Sequence, residues 1–131
     1  MARNILALFA GLFVGMAWNM ALVVLNSSVL FPMPEGMSMQ DPVQMNAWIA
    51  TLPVAAFIVV LLAHLGQSFF GAWVAVRLST SRPMLLAMII GVLSLAGGVM
   101  NMMSLEHPAW MYIELPLYLV VAWAAARLGS R

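Results

Sequence analysis

Apolar residues fall into four long runs, separated by short turns that carry proline and charge. The second run holds the clearest pattern. At ~100° per residue, His64, Gln67, Ser68, Gly71 and Ala75 share one face of a helix, while Phe69, Phe70 and Val74 point elsewhere. One face is small and polar, and the rest is apolar. About 20 apolar residues cross a bilayer, so the runs predict transmembrane helices over residues 5–30, 47–78, 83–104 and 109–128. The expected fold is an all-α, four-helix membrane bundle forming a single domain over residues 1–131.

The other runs carry matching stripes. Gly11, Gly15, Asn19 and Asn26 line up on the first helix, and Gly11-x-x-x-Gly15 is a spacing that lets helix backbones approach closely. Ala87, Gly91, Ser94, Gly98 and Asn101 recur at heptad spacing on the third. Glu114, Tyr118, Ala122 and Ala125 fall on one stripe of the fourth. Gly71 and Ala75 complete the packing set on the second. The first run is longer than the ~7–15 apolar residues of a signal peptide and lacks a small-residue cleavage site, so it is expected to be a retained helix.

The connections have their own signals. Asp41-Pro42 reads as an N-cap followed by proline in the first turn. Met45, Trp48, Ile49 and Leu52 then continue at helical spacing. The pattern predicts an interfacial amphipathic start over residues 42–50 that runs into the second span, with a kink at Pro53. Pro83 and Pro108 open the third and fourth spans, and Pro116 is expected to bend the fourth.

Charge changes the picture by giving it a direction. In a four-span topology Arg3, Arg77, Arg82, Arg127 and Arg131 lie on one side, and Glu35, Asp41 and Glu106 lie on the other. The positive-inside rule then places both termini in the cytoplasm. Trp48, Trp110 and Tyr112 would anchor the outer surface, and Trp73 and Trp123 the inner one. Ala72-Trp73-Val74-Ala75-Val76-Arg77-Leu78 echoes Ala122-Trp123-Ala124-Ala125-Ala126-Arg127-Leu128. The echo is either a parallel two-hairpin repeat or the ordinary look of inner helix ends.

Composition closes off several functions. The chain is 65% hydrophobic and 7% charged, against about 25% charged in a soluble domain. Lipid bilayer is therefore its expected solvent. A net charge of +1 leaves no basic face for nucleic acid. Cysteine and lysine are absent, which removes disulfides, thiolate metal sites and Schiff-base chemistry. Nearly all of the chain is span, so no catalytic domain and no enzyme activity are expected.

Few side chains are left for chemistry. Glu114 falls ~9 Å into the fourth span by helical rise. A carboxylate there is a functional candidate by default, unless it sits at headgroup level in reach of water. With Asn26 and Asn101 it could form an outer-side polar site. His64 belongs near mid-membrane, at the depth of Asn19. It reads as a proton relay, as a single-His ligand for haem or a pigment, or as a neutral ring bonded to Asn19 or Gln67. No cofactor is otherwise predicted. Glu106 and His107 are too few for a metal site. The thirteen methionines invite copper, but Met33, Met37, Met39 and Met45 look loosely clustered, and methionine commonly fills apolar space.

Leu52-Pro53-Val54-Ala55-Ala56-Phe57, Gly97-Gly98-Val99-Met100-Asn101 and His107-Pro108-Ala109-Trp110 resemble stretches of a set of small, uncharacterised four-span bacterial inner-membrane proteins. The resemblance covers most of the chain and implies four spans and a bacterial inner membrane. It attaches no activity. Members of that set often carry an acidic residue late in the first span, where this chain has Val24 to Ser27.

Two roles follow. One is an accessory or assembly subunit of a larger membrane complex, or a self-associating bundle, acting through its small-residue stripes. The other is a small dimeric transporter or channel for a proton, cation or small solute. Pigment or haem binding through His64 is a third.

Overall fold

The structure, a computed structural model, describes residues 1–130. The described residues are all-helical, with no strand: α1 (Ala2–Leu25), α2 (Pro42–Ile49), α3 (Val54–Leu78), α4 (Pro83–Ser104) and α5 (Glu114–Gly129). A π-helical turn, Asn26–Leu30, prolongs α1, and a 3-10 turn, Ala109–Ile113, leads into α5. Four stretches are long and apolar enough to cross a membrane: Ala2–Leu30, Val54–Leu78, Pro83–Ser104 and Ala109–Gly129. Large apolar side chains such as Phe9, Phe13, Leu62, Val92 and Trp123 face outward. That surface suits lipid and makes the chain compatible with a multi-pass membrane protein.

α3 is the central element and packs against α1, α4 and α5. α1 sits almost wholly on α3. Gly11 lies against the backbone carbonyl of Gly71, and Gly15 against that of Gln67, so no Cβ fits at either glycine. This is the close approach expected from Gly11-x-x-x-Gly15. Gly91 abuts Ala122, and Gly98 abuts the Tyr118 ring. Gly71, Ala75 and Ser94 are buried too. Towards the arginine-bearing end the core is dense and built from small residues: Ala72, Ala75, Ala87, Ala122 and Ala125 around Leu86 and Ile90.

Both ends of the bundle are tied. At the arginine end, Asn4 Nδ2 donates to the Ser81 carbonyl at 3.0 Å, and Thr80 N–H donates to Asn4 Oδ1 at 2.9 Å. Arg82 takes a left-handed conformation, φ 53°, which tightens the turn before Pro83. At the acidic end, Asp41 caps α2 by accepting from the backbone N–H of Val43 and Gln44, as its sequence predicts. The Glu106 N–H donates to Asn46 Oδ1 at 2.9 Å, which fastens α2 to the α4–α5 turn.

Two boundaries differ from the expected ones. The run over 47–78 is not one kinked helix: α2 ends at Ile49, and α3 begins only at Val54. Proline lacks the N–H and crowds the carbonyl four residues back, and it drives its predecessor away from helix. Pro53 itself is extended, φ −73° and ψ 163°. Pro116 falls in the first turn of α5, where its missing N–H breaks no helical bond. The turn before it tightens to 3-10, so the departure from α geometry comes ahead of Pro116. The arginines Arg3, Arg77, Arg82 and Arg127 gather at one end of the bundle by topology; Arg131 lies outside the described residues.

Candidate functional site: a buried His–Glu pair under a polar cavity

α1 and α4 both lean on α3 but touch each other little. The wedge between them is a cavity of about 460 Å³. Its floor is α3, its rear wall is Tyr118 of α5, and α2 with the preceding loop roofs it at the acidic end. It runs from that end to about the middle of the bundle: His64 lies ~15 Å along α3 from Val54 by helical rise, and Ser94 lies ~15 Å from the end of α4.

Five of the six polar residues singled out from the sequence line this cavity: Asn19, Asn26, His64, Gln67 and Asn101. Ser94 joins them. The π-helical turn helps to place Asn26. Phe31 N–H bonds back to the Asn26 carbonyl at 2.8 Å, a wider turn than α of the kind often found at functional sites. Asn26 is only 5% exposed. Its Nδ2 donates to the Ala56 carbonyl at 3.2 Å, while Oδ1 is buried with no partner. Asn19 Oδ1 is likewise buried and unpaired. Such orphaned acceptors cost of order 1–3 kcal/mol each unless something else satisfies them.

Glu114, the sixth, is fully buried and belongs to the layer behind the wall. His64 Nδ1 lies 3.2 Å from its Oε1 and 3.1 Å from its Oε2. Tyr118 donates its hydroxyl to Oε1 at 3.3 Å. Ser68 donates to the Tyr118 carbonyl at 2.8 Å, locking α3 to α5 one turn further on. Glu114 is therefore out of reach of surface water. The partner of His64 is Glu114, not Asn19 or Gln67. Tyr118 and Ser68 complete the arrangement; both stood on the predicted stripes but were not singled out.

The pairing leaves Nε2 as the ring nitrogen available to the cavity, and among the described residues it makes no hydrogen bond. A proton must lie between Nδ1 and the carboxylate, because two lone pairs at that distance would repel. With one proton shared between them and no other on the carboxyl, the pair is neutral only when Nε2 also carries a hydrogen and is a donor. Loss of that proton makes Nε2 a lone-pair acceptor and leaves one negative charge on the pair. Among the described residues, no Asp, Glu, Lys or Arg side chain lines the cavity, so nothing there balances that charge.

The remaining candidates are placed as follows. His107 lines the cavity near its mouth, with Nδ1 2.9 Å from the Leu105 carbonyl. No group of three or more His, Cys, Asp or Glu that could hold a metal occurs among the described residues. Met33, Met39 and Met45, scattered in sequence, line the same cavity; Met37 does not. Comparison with protein-family models, with curated proteins and with solved structures finds no match.

Proposed function

We propose that this chain is a membrane-embedded binding and transport protein that admits a proton, a cation or a small polar solute from its acidic end, with the His64–Glu114 pair as the internal stop. One observation carries the reading. A fully buried carboxylate, held by a histidine, stands beneath a cavity lined by Asn19, Asn26, Gln67, Ser94 and Asn101. Intramembrane ionisable residues of this kind mark ion and solute pathways. The dense alanine core beyond His64 closes the other half. That half-open form is what one state of an alternating-access carrier requires. The arginine end is taken as cytosolic, in a bacterial inner membrane. The reading invokes binding and movement, not catalysis.

The accessory-subunit role drew its support from the small-residue stripes. Gly11, Gly15, Gly71, Gly91 and Gly98 all pack within this chain, so those stripes no longer argue for an outside partner.

The absence of cysteine makes the test clean. In intact cells, a membrane-impermeant thiol reagent should label Asn101→Cys and Ser94→Cys and leave Ala87→Cys, in the alanine core, untouched. Ser94→Cys as unreactive as Ala87→Cys would overturn the reading.

A further inference from the structure

The deep end of the cavity has a chemistry more specific than "polar". Met16 and Met20 stand one turn apart on the same face of α1 and line the same cavity as His64. By helical rise Met20 is ~15 Å from the end of the Asn26–Leu30 turn, the depth of His64 on α3. Met16 and Met20 are 58% and 54% exposed. A position facing lipid needs only leucine; a thioether there adds a soft sulfur donor. Nearer the mouth, Met33, Met39 and Met45 and the imidazole of His107 border the same space.

His64 is held as a metal-binding histidine is held. Ligating imidazoles almost always give their second ring nitrogen to a carboxylate or carbonyl, which fixes the tautomer and raises the basicity of the ligating nitrogen. Here Nδ1 faces both oxygens of Glu114, and Nε2 is left for the cavity.

We infer that this end of the cavity binds a soft monovalent metal cation, of the Cu(I) class, through His64 Nε2 and the thioethers of Met16 and Met20. The inference rests on the reading of the cavity as a solute site. The donor set also selects the valence. Among the described residues, no Asp, Glu, Lys or Arg side chain lines the cavity, and a wall of uncharged thioether and imidazole donors suits a soft ion of single charge. Donor softness selects the element. Thioether and imidazole favour Cu(I), whereas Ca²⁺ and Mg²⁺ need several oxygens and structural Zn²⁺ takes thiolate, imidazole or carboxylate. The mouth methionines and His107 would be the entry path for the same ion.

The test is a titration of the full-length protein in detergent, under reductant and without oxygen, against Cu(I) held by bicinchoninate. The protein should withdraw Cu(I) from the chelator, and Ag(I), a redox-inert stand-in, should compete while Zn(II) does not. Glu114→Gln should weaken binding by ~10–100-fold, as loss of a supporting carboxylate does. The paired M16L and M20L exchange should weaken it at least as much. Both positions are more than half exposed, so leucine there leaves the fold intact and this variant decides. No uptake of Cu(I), an unchanged affinity in the double leucine variant, or displacement by Zn(II) would each overturn the inference. The thiol-labelling outcome separates the two ideas: a labelled Ser94→Cys with no Cu(I) uptake removes the metal alone, and an unlabelled one removes the cavity as a solute site.

Discussion

Ser68 and Tyr118 repeat, one turn deeper, the spacing that joins His64 to Glu114: each pair is 50 positions apart in the chain. α3 and α5 therefore lie side by side, run in the same direction and keep one register. The offset persists to the arginine end, where Arg77 stands 5.3 Å from the Trp73 ring centroid and Arg127 stands 5.3 Å from that of Trp123. The sequence echo around the two tryptophans thus falls on neighbouring helices at matching positions. Two parallel helices in register end at the same level, and where such helices cross a bilayer each takes an aromatic anchor there and a cation just beyond it.

The central pair should behave as a coupled unit. Removing one member of a buried, hydrogen-bonded ion pair costs about 3–5 kcal/mol, because its partner is left stranded, while replacing both with apolar groups of similar volume is often neutral. Glu114→Leu and His64→Leu should each lower stability by that order, and the double variant should recover most of the loss. Thermal unfolding in detergent, arranged as a double-mutant cycle, measures the coupling. Strictly additive losses would mean that the two side chains do not interact.

The sequence announced the bundle, its polar stripes and five of the cavity's polar residues, because lipid imposes a simple rule: charges mark ends, and small or polar side chains mark contacts. It hid the His64–Glu114 pair for a geometric reason. His64 reads as mid-membrane and Glu114 as ~9 Å into its span, so the two look several ångströms apart in depth, and Asn19 and Gln67 look like the nearer partners of the ring. Which helices are neighbours, and with what stagger, is set by packing: α5 lies against α3 in parallel, and the side chains of His64 and Glu114 span the difference. The methionine lining was hidden differently: Met16 and Met20 sit on α1, while Met33, Met39 and Met45 come from a loop and α2, and only tertiary structure gathers them.

Helix contacts give a sharper contrast. A Cβ at Gly11 or Gly15 would meet the backbone of α3, which cannot give way, whereas a Cβ at Gly97 meets nothing within 4 Å. Gly11→Ala and Gly15→Ala should therefore cost about 1–3 kcal/mol through overpacking. Gly97→Ala should be neutral or stabilising by about 0.4–1 kcal/mol, since alanine restricts the unfolded chain more than glycine does. Midpoints of detergent-induced unfolding would rank the three, and equal effects at Gly15 and Gly97 would contradict the α1–α3 contact.

Orientation has a direct measurement. With the arginine end cytosolic, a reporter active only inside the cell should work when fused after residue 131. A short epitope inserted at Gly36, an exposed positive-φ position with open space around it, should be reached by antibody from the other side. Loop tips of this kind tolerate insertion. A C-terminal reporter active only outside would reverse the assignment and, with it, the side from which the cavity fills.

Finally, the roof. α2 covers the cavity and is pinned to the α4–α5 turn through the Glu106 N–H and Asn46 Oδ1. α2 is otherwise joined to α3 only by the irregular residues around Pro53, and it has just 8 residues of its own, too few to persist as an isolated helix in water. Asn46→Ala removes the pin, worth about 0.5–1.5 kcal/mol, without touching the cavity wall. Opening of the roof should then become roughly 2–10-fold more frequent, since 1.4 kcal/mol is a factor of ten. The expected readout is a proportionate rise in the labelling rate of Ser94→Cys from outside, with the rate at the mouth residue Asn101→Cys changed less. A rate at Ser94→Cys that does not respond would mean that solute enters between α1 and α4 from the lipid, and that α2 is a fixed cover.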